Sequence, residues 1–299
     1  MAATPYDDRD GQIWLDGEMV PWRDAKVHIL THALHYASSV FEGVRMYNGN
    51  IFKLTEHTER LHKSASILGF EIPWTTDQIN QACIEACEIN NIKDGYIRPV
   101  AWRGSEMMGV SAQKNTIHLA VAAWEWPSYF SPEARMRGIR LQTSKWKRPS
   151  AETEPVHAKA AGLYMICTLS KHAAEQAGFD DSLMLDYRGQ VAEATGANIF
   201  MEMGDGKLHT PIPDCFLDGI TRRTIIELAK KRGIDVVERV IMPDELANAT
   251  QIFLTGTAAE VTPVGAIDNH AYSVGEITLQ MMDDYDKAVG KAPANASAA

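Results

Sequence analysis

"PVHAKAAGLY", residues 155–164, sets a single lysine, Lys159, among alanines and a glycine, with Tyr164 five positions on. A lone lysine is ordinarily a solvated surface residue with polar neighbours. One flanked by small residues leaves room for a partner to dock against its amine. Nucleophilic attack by that amine requires loss of its proton, and apolar surroundings favour the neutral form. The rest of the chain must supply whatever such a lysine would work with.

The bulk properties narrow the search. At 299 residues, with 45% hydrophobic and 23% charged residues, the chain has the mix of a globular protein able to bury a large core in one or two domains. A formal net charge of -10 argues against a nucleic-acid partner, which needs clustered Lys and Arg. No apolar run reaches the roughly 18 residues of a membrane span. The opening "MAATPYDDRDGQ" is acidic, without the apolar stretch of a secretory signal, so a cytoplasmic location is expected. The four cysteines are expected to act as small buried hydrophobes.

Turn residues and periodicity give a coarse map. "QIWLDGEMV" reads as a hairpin turning at Asp16-Gly17, and "VRMYNGNIFKL" as a second turning at Asn48-Gly49. A helix is expected from about Glu56 to Leu68, closed by Gly69. Another should start at Thr75, with Gln78 completing a capping box and Ile79, Ala82, Cys83, Ala86 and Ile89 inward. "YIRPVAW" and "TIHLAVAAW" follow as strands. After a Pro-rich stretch come "IRLQTS", the lysine segment, and a helix ending near Gly178. Then "SLMLD", "ANIFMEM" and "KLHTP" suggest an antiparallel meander, with Glu193 just after a strand turn. "ITRRTIIELAKKRG" is an amphipathic helix with Ile220, Ile225, Leu228 and Ala229 inward and Gly233 as its stop, and "IDVVERV" and "QIFLTG" are the last strands expected. The fold class is therefore α/β of the mixed-sheet, α+β type, in two domains: a small one over 1–127, a connecting loop over 128–138, and a large one over 139–299 whose last ten residues fray. Such a pair suggests a ligand cleft.

Competing signals are weak. His28, His32 and His35 have helical ligand spacing but no nearby carboxylate, and Cys83 and Cys87 lack a second pair, so no metal is expected. Glycine-rich nucleotide loops and the serine-hydrolase and zinc-protease motifs are absent from the sequence.

An aldehyde cofactor that exploits a lysine of this kind is pyridoxal phosphate. It asks for a carboxylate at its ring nitrogen, a partner for its phenolate oxygen and a phosphate cup. Glu193 in "VAEATGANIF" stands among small residues that suit the approach of a flat ring, and that serve a strand edge equally well. Tyr164 can reach the phenolate. "LDGITRRT" puts Gly219, Ile220 and Thr221 at a helix N-terminus, where free amides favour an anion, and "LTGTAAE" adds a second Gly-Thr turn.

These residues, with "HALHYASSVFEGVRMY", "ERLHKSA", "YIRP", "MGV", "EATGANIF", "LDGITR" and "LTGTAAEVTPV", resemble the class IV pyridoxal-phosphate aminotransferases, whose fold is that of the D-amino acid aminotransferases. Within them the likeness is to the bacterial branched-chain amino acid aminotransferases, and it runs almost end to end. The resemblance implies that Lys159 links the cofactor and shuttles the proton between the substrate α-carbon and the cofactor's C4′. It implies Glu193 at the ring nitrogen and Tyr164 at the phenolate. Arg60, Leu217, Gly219, Ile220, Thr221, Gly256 and Thr257 would form the phosphate cup, with Thr257 and Ala258 also receiving the substrate α-carboxylate. Tyr36, Phe41, Gly43, Tyr96, Met108, Val110, Trp126 and Tyr129 would wall an apolar side-chain pocket, while Arg98 would meet the distal carboxylate of glutamate or 2-oxoglutarate.

The activity implied is transfer of an amino group between L-leucine, L-isoleucine or L-valine and 2-oxoglutarate. D-Amino acid or (R)-amine transamination and aminodeoxychorismate lysis on the same fold are the enzymatic alternatives, and a silent cofactor-binding protein is a fourth. "MGV", Met108–Val110, is implied to come from a neighbouring subunit, so the smallest assembly would be a homodimer, with a hexamer as the larger form. The chain departs from the family pattern at Ala161-Gly162-Leu163-Tyr164, where Gly-Gly-Asn-Tyr is usual. It also carries Arg103 and Glu106 beside the substrate loop.

Overall fold

The computed structural model describes residues 4–126 and 136–291. They divide into two compact units, one of residues 4–126 with 158–162, the other of residues 136–157 with 163–291. The connection expected over 128–138 falls mostly outside the described residues.

In the first unit the turn residues set the hairpins. Asp16 and Gly17 have φ of 50° and 105°, and Asn48 and Gly49 have 48° and 82°. These left-handed pairs suit the right-handed strand twist. They join β1 (Gln12–Leu15) to β2 (Glu18–Pro21), and β4 (Val44–Tyr47) to β5 (Asn50–Ile51). Among the described residues seven strands form one antiparallel sheet, ordered β2, β1, β7 (Ile117–Glu125), β6 (Gly95–Arg103), β4, β5, with β3 (Ser39–Phe41) also on β6. The helices α2 (Leu54–Ile67) and α3 (Thr76–Ile89) follow α1 (His32–Tyr36), and α3 carries the expected capping box between Thr75 and Gln78. Val40, Val44, Leu61, Ile79, Cys83, Ile97 and Leu119 form the core. Ile89, expected inward, is exposed, and Cys87 takes its place at one turn from Cys83.

The second unit is built on β8 (Ile139–Thr143), β9 (Asp181–Leu185), β10 (Val191–Ala194), β11 (Asn198–Glu202), β12 (Leu208–Pro211), β13 (Val236–Arg239), β14 (Gln251–Gly256), β15 (Glu260–Ile267) and β16 (His270–Ala271). β10 pairs with both β9 and β11, so β10, β9, β8, β15, β14 and β11 close into a ring of pairings around Ile139, Leu183, Ile199, Ile252, Leu254 and Val264. The meander from β9 to β12 is antiparallel as expected. Parallel pairing of β8 with β9 requires a crossover, which contains α4 (Met165–Gln176). The remaining α-helices among the described residues are α5 (Ile220–Lys231) and α6 (Glu276–Ala288).

Glu193 follows the turn at 186–190, as expected, and lies inside β10, a strand of its own that reverses again where Ala194 N–H donates to Ala197 O. One placement differs from expectation. The Lys159 segment, expected with the second domain, packs with the first unit. Phe41 N–H donates to Lys159 O at 3.1 Å, Lys159 N–H donates to Ser64 Oγ at 2.9 Å, and Val40 forms an isolated bridge with Ala160.

Candidate active site

The groups of the first unit gather at the ends of β3 and β6. The backbone bonds of Lys159 extend β3, which brings its Nζ to 5.0 Å from the centre of the Phe41 ring. Lys159 is half-buried between the buried Ala158 and Ala160. Next along the chain from Phe41, Glu42 is fully buried. Its Oε1 accepts from Arg60 Nε at 2.6 Å, and its Oε2 from Arg60 Nη2 at 2.8 Å and from His57 Nδ1 at 2.7 Å. Burial alone would raise the Glu42 pKa, but the Arg60 guanidinium and then His57 hold it far below the ordinary carboxylate range. Burial pushes the His57 pKa down, against the pull of Glu42, which leaves the imidazole neutral with Nδ1–H as donor.

On β6 the alternation of the strand puts Tyr96 and Arg98 on one face. Arg98 Nη2 donates to Tyr96 Oη at 3.2 Å, and its guanidinium lies 4.8 Å from the Phe41 ring. The Tyr96 ring packs 5.1 Å from Trp126. A Cβ at Gly43 would come within 1.8 Å of Tyr96 Oη, so only glycine lets that hydroxyl sit where it does. Phe41, Gly43, Tyr96, Arg98 and Trp126 are thus one group, with Lys159 against it. Tyr36 and Met108 form another: Tyr36 Oη donates to Met108 O at 3.2 Å, while Val110 stands 85% exposed. Tyr129 lies outside the described residues. Arg103 and Glu106 brace the loop near them, Arg103 by bonds to Ala112 O and Gly69 O and Glu106 by accepting from Thr116 N–H. The histidines have local partners: His32 meets Ser38 Oγ and Gly109 O, His35 meets Ile29 O, and His28 accepts from Leu30 N–H.

In the second unit Glu193 is anchored through both oxygens. Arg148 Nε lies 3.3 Å from Oε1, and Asn198 Nδ2 donates to Oε2 at 3.2 Å. Arg148 Nη1 also donates to Leu163 O at 3.5 Å, beside Tyr164, which ends a 3-10 turn and caps α4. Gly219 is the N-cap of α5 and offers no side-chain cap, which leaves the amides of the first turn available to an anion. Ile220 and Thr221 in that turn are buried, and Leu217 O accepts from Asn198 Nδ2 at 3.0 Å. The turn Gly256, Thr257, Ala258 leaves β14 close to a second turn: a Cβ on Gly256 would lie 3.2 Å from Gly196 O. Just before it, the buried Thr255 hydroxyl has no hydrogen-bond partner among the described residues.

Sequence reasoning missed Glu42, His57, Arg148 and Asn198. Asn198 lies within the quoted "EATGANIF" and Glu42 within "HALHYASSVFEGVRMY", but only the pairing of β10 with β11 and the packing of α2 show that they face charged groups. Arg148 is distant in sequence from Glu193 and left no local signal.

A lysine in one unit, and a paired carboxylate and an uncapped helix start in the other, are of the class of donors that a flat, phosphate-bearing cofactor asks for. Comparison makes the class particular. The chain belongs to the class IV aminotransferases, whose family model, described as amino-transferase class IV, matches residues 39–267. It is 43% identical over 297 residues to the branched-chain-amino-acid aminotransferase of Pseudomonas aeruginosa, covering 97% of this chain and 96% of that one. The Escherichia coli K12 enzyme of the same name is 41% identical over 270 residues, 88% of this chain and 86% of its own. Two solved structures agree. A branched-chain amino acid aminotransferase crystallised with pyridoxamine 5′-phosphate superposes with a TM-score of 0.91 at 40% identity, covering 95% of this chain and 96% of that one. That of Escherichia coli superposes with a TM-score of 0.91 at 37% identity, covering 97% of this chain and 98% of that one.

Proposed function

We propose that the protein is a pyridoxal-phosphate-dependent transaminase that exchanges the amino group between L-leucine, L-isoleucine or L-valine and 2-oxoglutarate by a ping-pong route. The observation that carries this reading is the near end-to-end match to enzymes named branched-chain-amino-acid aminotransferases. The residues fit the cofactor. A helix start without a side-chain cap suits the phosphate, and a carboxylate fixed through both oxygens suits the ring nitrogen.

When bound, the cofactor supplies the aldehyde that takes up the amino group and the ring that delocalises charge from the substrate α-carbon. The chain does the rest. Lys159 would hold the cofactor at its aldehyde carbon, and its amine would move the proton between the substrate α-carbon and C4′. Glu193 keeps a proton on the ring nitrogen, and Tyr164 donates to the phenolate oxygen. Arg60, the amides of Ile220 and Thr221, and the Thr257 hydroxyl receive the phosphate, with Leu217, Gly219 and Gly256 shaping the cup. Thr257 and Ala258 present amides to the α-carboxylate. Phe41, Gly43, Tyr96 and Trp126 line the side-chain pocket, joined by Tyr36, Met108, Val110 and Tyr129. Arg98, held by Tyr96, pairs with the distal carboxylate of the dicarboxylic substrate.

The working unit is at least a homodimer, and a hexamer is the larger form. The exposure of Ile29, Leu34, Tyr36, Met107 and Val110 on one unit supports burial against a second copy. Sedimentation should find no monomer at micromolar concentration; a stable active monomer would refute this. We also propose a cytoplasmic location. No helix among the described residues is long and apolar enough to cross a membrane.

Single-turnover absorbance with a panel of donors tests the specificity. L-Leucine, L-isoleucine, L-valine and L-glutamate should convert the cofactor, and D-alanine or (R)-phenylethylamine should do so poorly. Faster conversion by a D-amino acid would assign the site to the opposite stereochemistry. Arg98→Ala should slow the glutamate half-reaction roughly 100-fold more than the leucine one, the worth of a charge-assisted pair. Equal losses would remove the separate role of Arg98.

A further inference from the structure

Asn198 opens β11 directly opposite Glu193 on β10 and is 4% exposed. Its Oδ1 accepts from Gly219 N–H at 3.1 Å, while its Nδ2 donates to Leu217 O at 3.0 Å and to Glu193 Oε2 at 3.2 Å. Only this amide orientation satisfies the site, because the glycine N–H needs an acceptor whereas the carbonyl and the carboxylate need donors. Three bonds from one planar group fix the carboxylate of β10 relative to the first turn of α5.

Gly219 completes the fit. Its φ of -65° is open to any residue, so its backbone conformation does not require glycine. A Cβ there would lie 2.2 Å from Asn198 Oδ1. Space for the amide is what excludes a side chain. The helix start and the asparagine are built against each other.

We propose that Asn198 is a positioning residue that locks Glu193 to the phosphate-binding start of α5, so that the ring nitrogen and the phosphate of the cofactor are recognised as one rigid pair. This rests on the roles given above to Glu193 and to Gly219, Ile220 and Thr221. Without the amide, Glu193 keeps only the Arg148 ion pair and can tilt relative to the ring, and the first turn of α5 can shift, so both ends of the cofactor lose affinity.

The test measures dissociation constants of the apoprotein for three probes: pyridoxal 5′-phosphate, pyridoxal, and the 1-deaza analogue in which carbon replaces the ring nitrogen. The wild type should prefer the first over both others. In Asn198→Ala both preferences should shrink by roughly tenfold or more, the worth of a hydrogen bond to a charged group. In Gly219→Ala the added Cβ pushes on the same amide, so the ring-nitrogen preference should shrink although the change lies at the phosphate end. A common loss of affinity for all three probes in Asn198→Ala would mean a purely structural residue and would overturn the proposal. So would a Gly219→Ala protein that loses only its phosphate preference. If the wild type itself prefers neither phosphate nor ring nitrogen, the cofactor assignment falls first and this proposal with it. Should Asn198→Ala fail to fold, Gly219→Ala decides alone.

Discussion

Glu42 shows how much one buried residue commits to. A carboxylate with no solvent exposure is tolerable only if its charge is matched, and here Arg60 and His57 supply three hydrogen bonds. The pair holds the Arg60 guanidinium in a fixed pose at the cost of desolvating both groups. Glu42→Gln strips the charge from one side only and should lower apoprotein stability by about 3 kcal/mol, read from denaturant midpoints. A loss below about 1 kcal/mol would show that the arginine finds water or another acceptor. The same cluster sets an acid limit. His57 stays neutral in the fold below its ordinary value of 6.5, and Glu42 stays ionised below 4.5, whereas the unfolded chain takes up a proton at each. The unfolded state then binds more protons, so stability should fall as pH drops through 6.5 and more steeply below 4.5. A Glu42→Gln protein should have lost the lower part of that dependence; an unchanged profile would place the acid limit elsewhere.

Elements with local signals could be read directly. Asp16-Gly17 and Asn48-Gly49 name their turns because few other pairs accept left-handed φ at both positions. The Thr75 cap was equally legible, and Thr75→Ala should destabilise the protein by about 1 kcal/mol, seen as a lower melting temperature with cofactor-binding affinity unchanged. A weakened cofactor would mean that α3 reaches further than its own packing. The expected strands ended at "QIFLTG", yet β15 follows it with eight residues that contain Pro263 and Gly265. Those residues ordinarily argue against a central strand. Here Pro263 pairs with Phe253 on β14, and its register on β8 begins only at Val264. Gly265 falls where that register shifts, against Gly138. Tertiary pairing accommodates what the local pattern discourages. α6 was also missed, although its buried Thr278, Met281 and Tyr285 fall at helical spacing with Asp283 on the exposed side.

At the scale of the whole chain, the candidate site gave sharper local signals than the fold. The lysine segment, the bare helix start at Gly219 and "EATGANIF", which spans the turn from β10 to β11, each stand out by residue type. Glu42 and Arg148 lie far along the chain from the groups they meet, and Asn198, inside "EATGANIF", shows its partners only once β10 and β11 pair. That asymmetry follows from physics: contact with a ligand constrains residue type locally, whereas support is a matter of topology. Everything proposed for catalysis depends on the amine of Lys159 holding the cofactor. The direct measurement is borohydride reduction of the holoprotein followed by peptide mass spectrometry. The pyridoxyl label should appear on the peptide containing Lys159, and Lys159→Ala should abolish both label and yellow colour. A label on another lysine, or full colour and turnover in Lys159→Ala, would contradict the assignment.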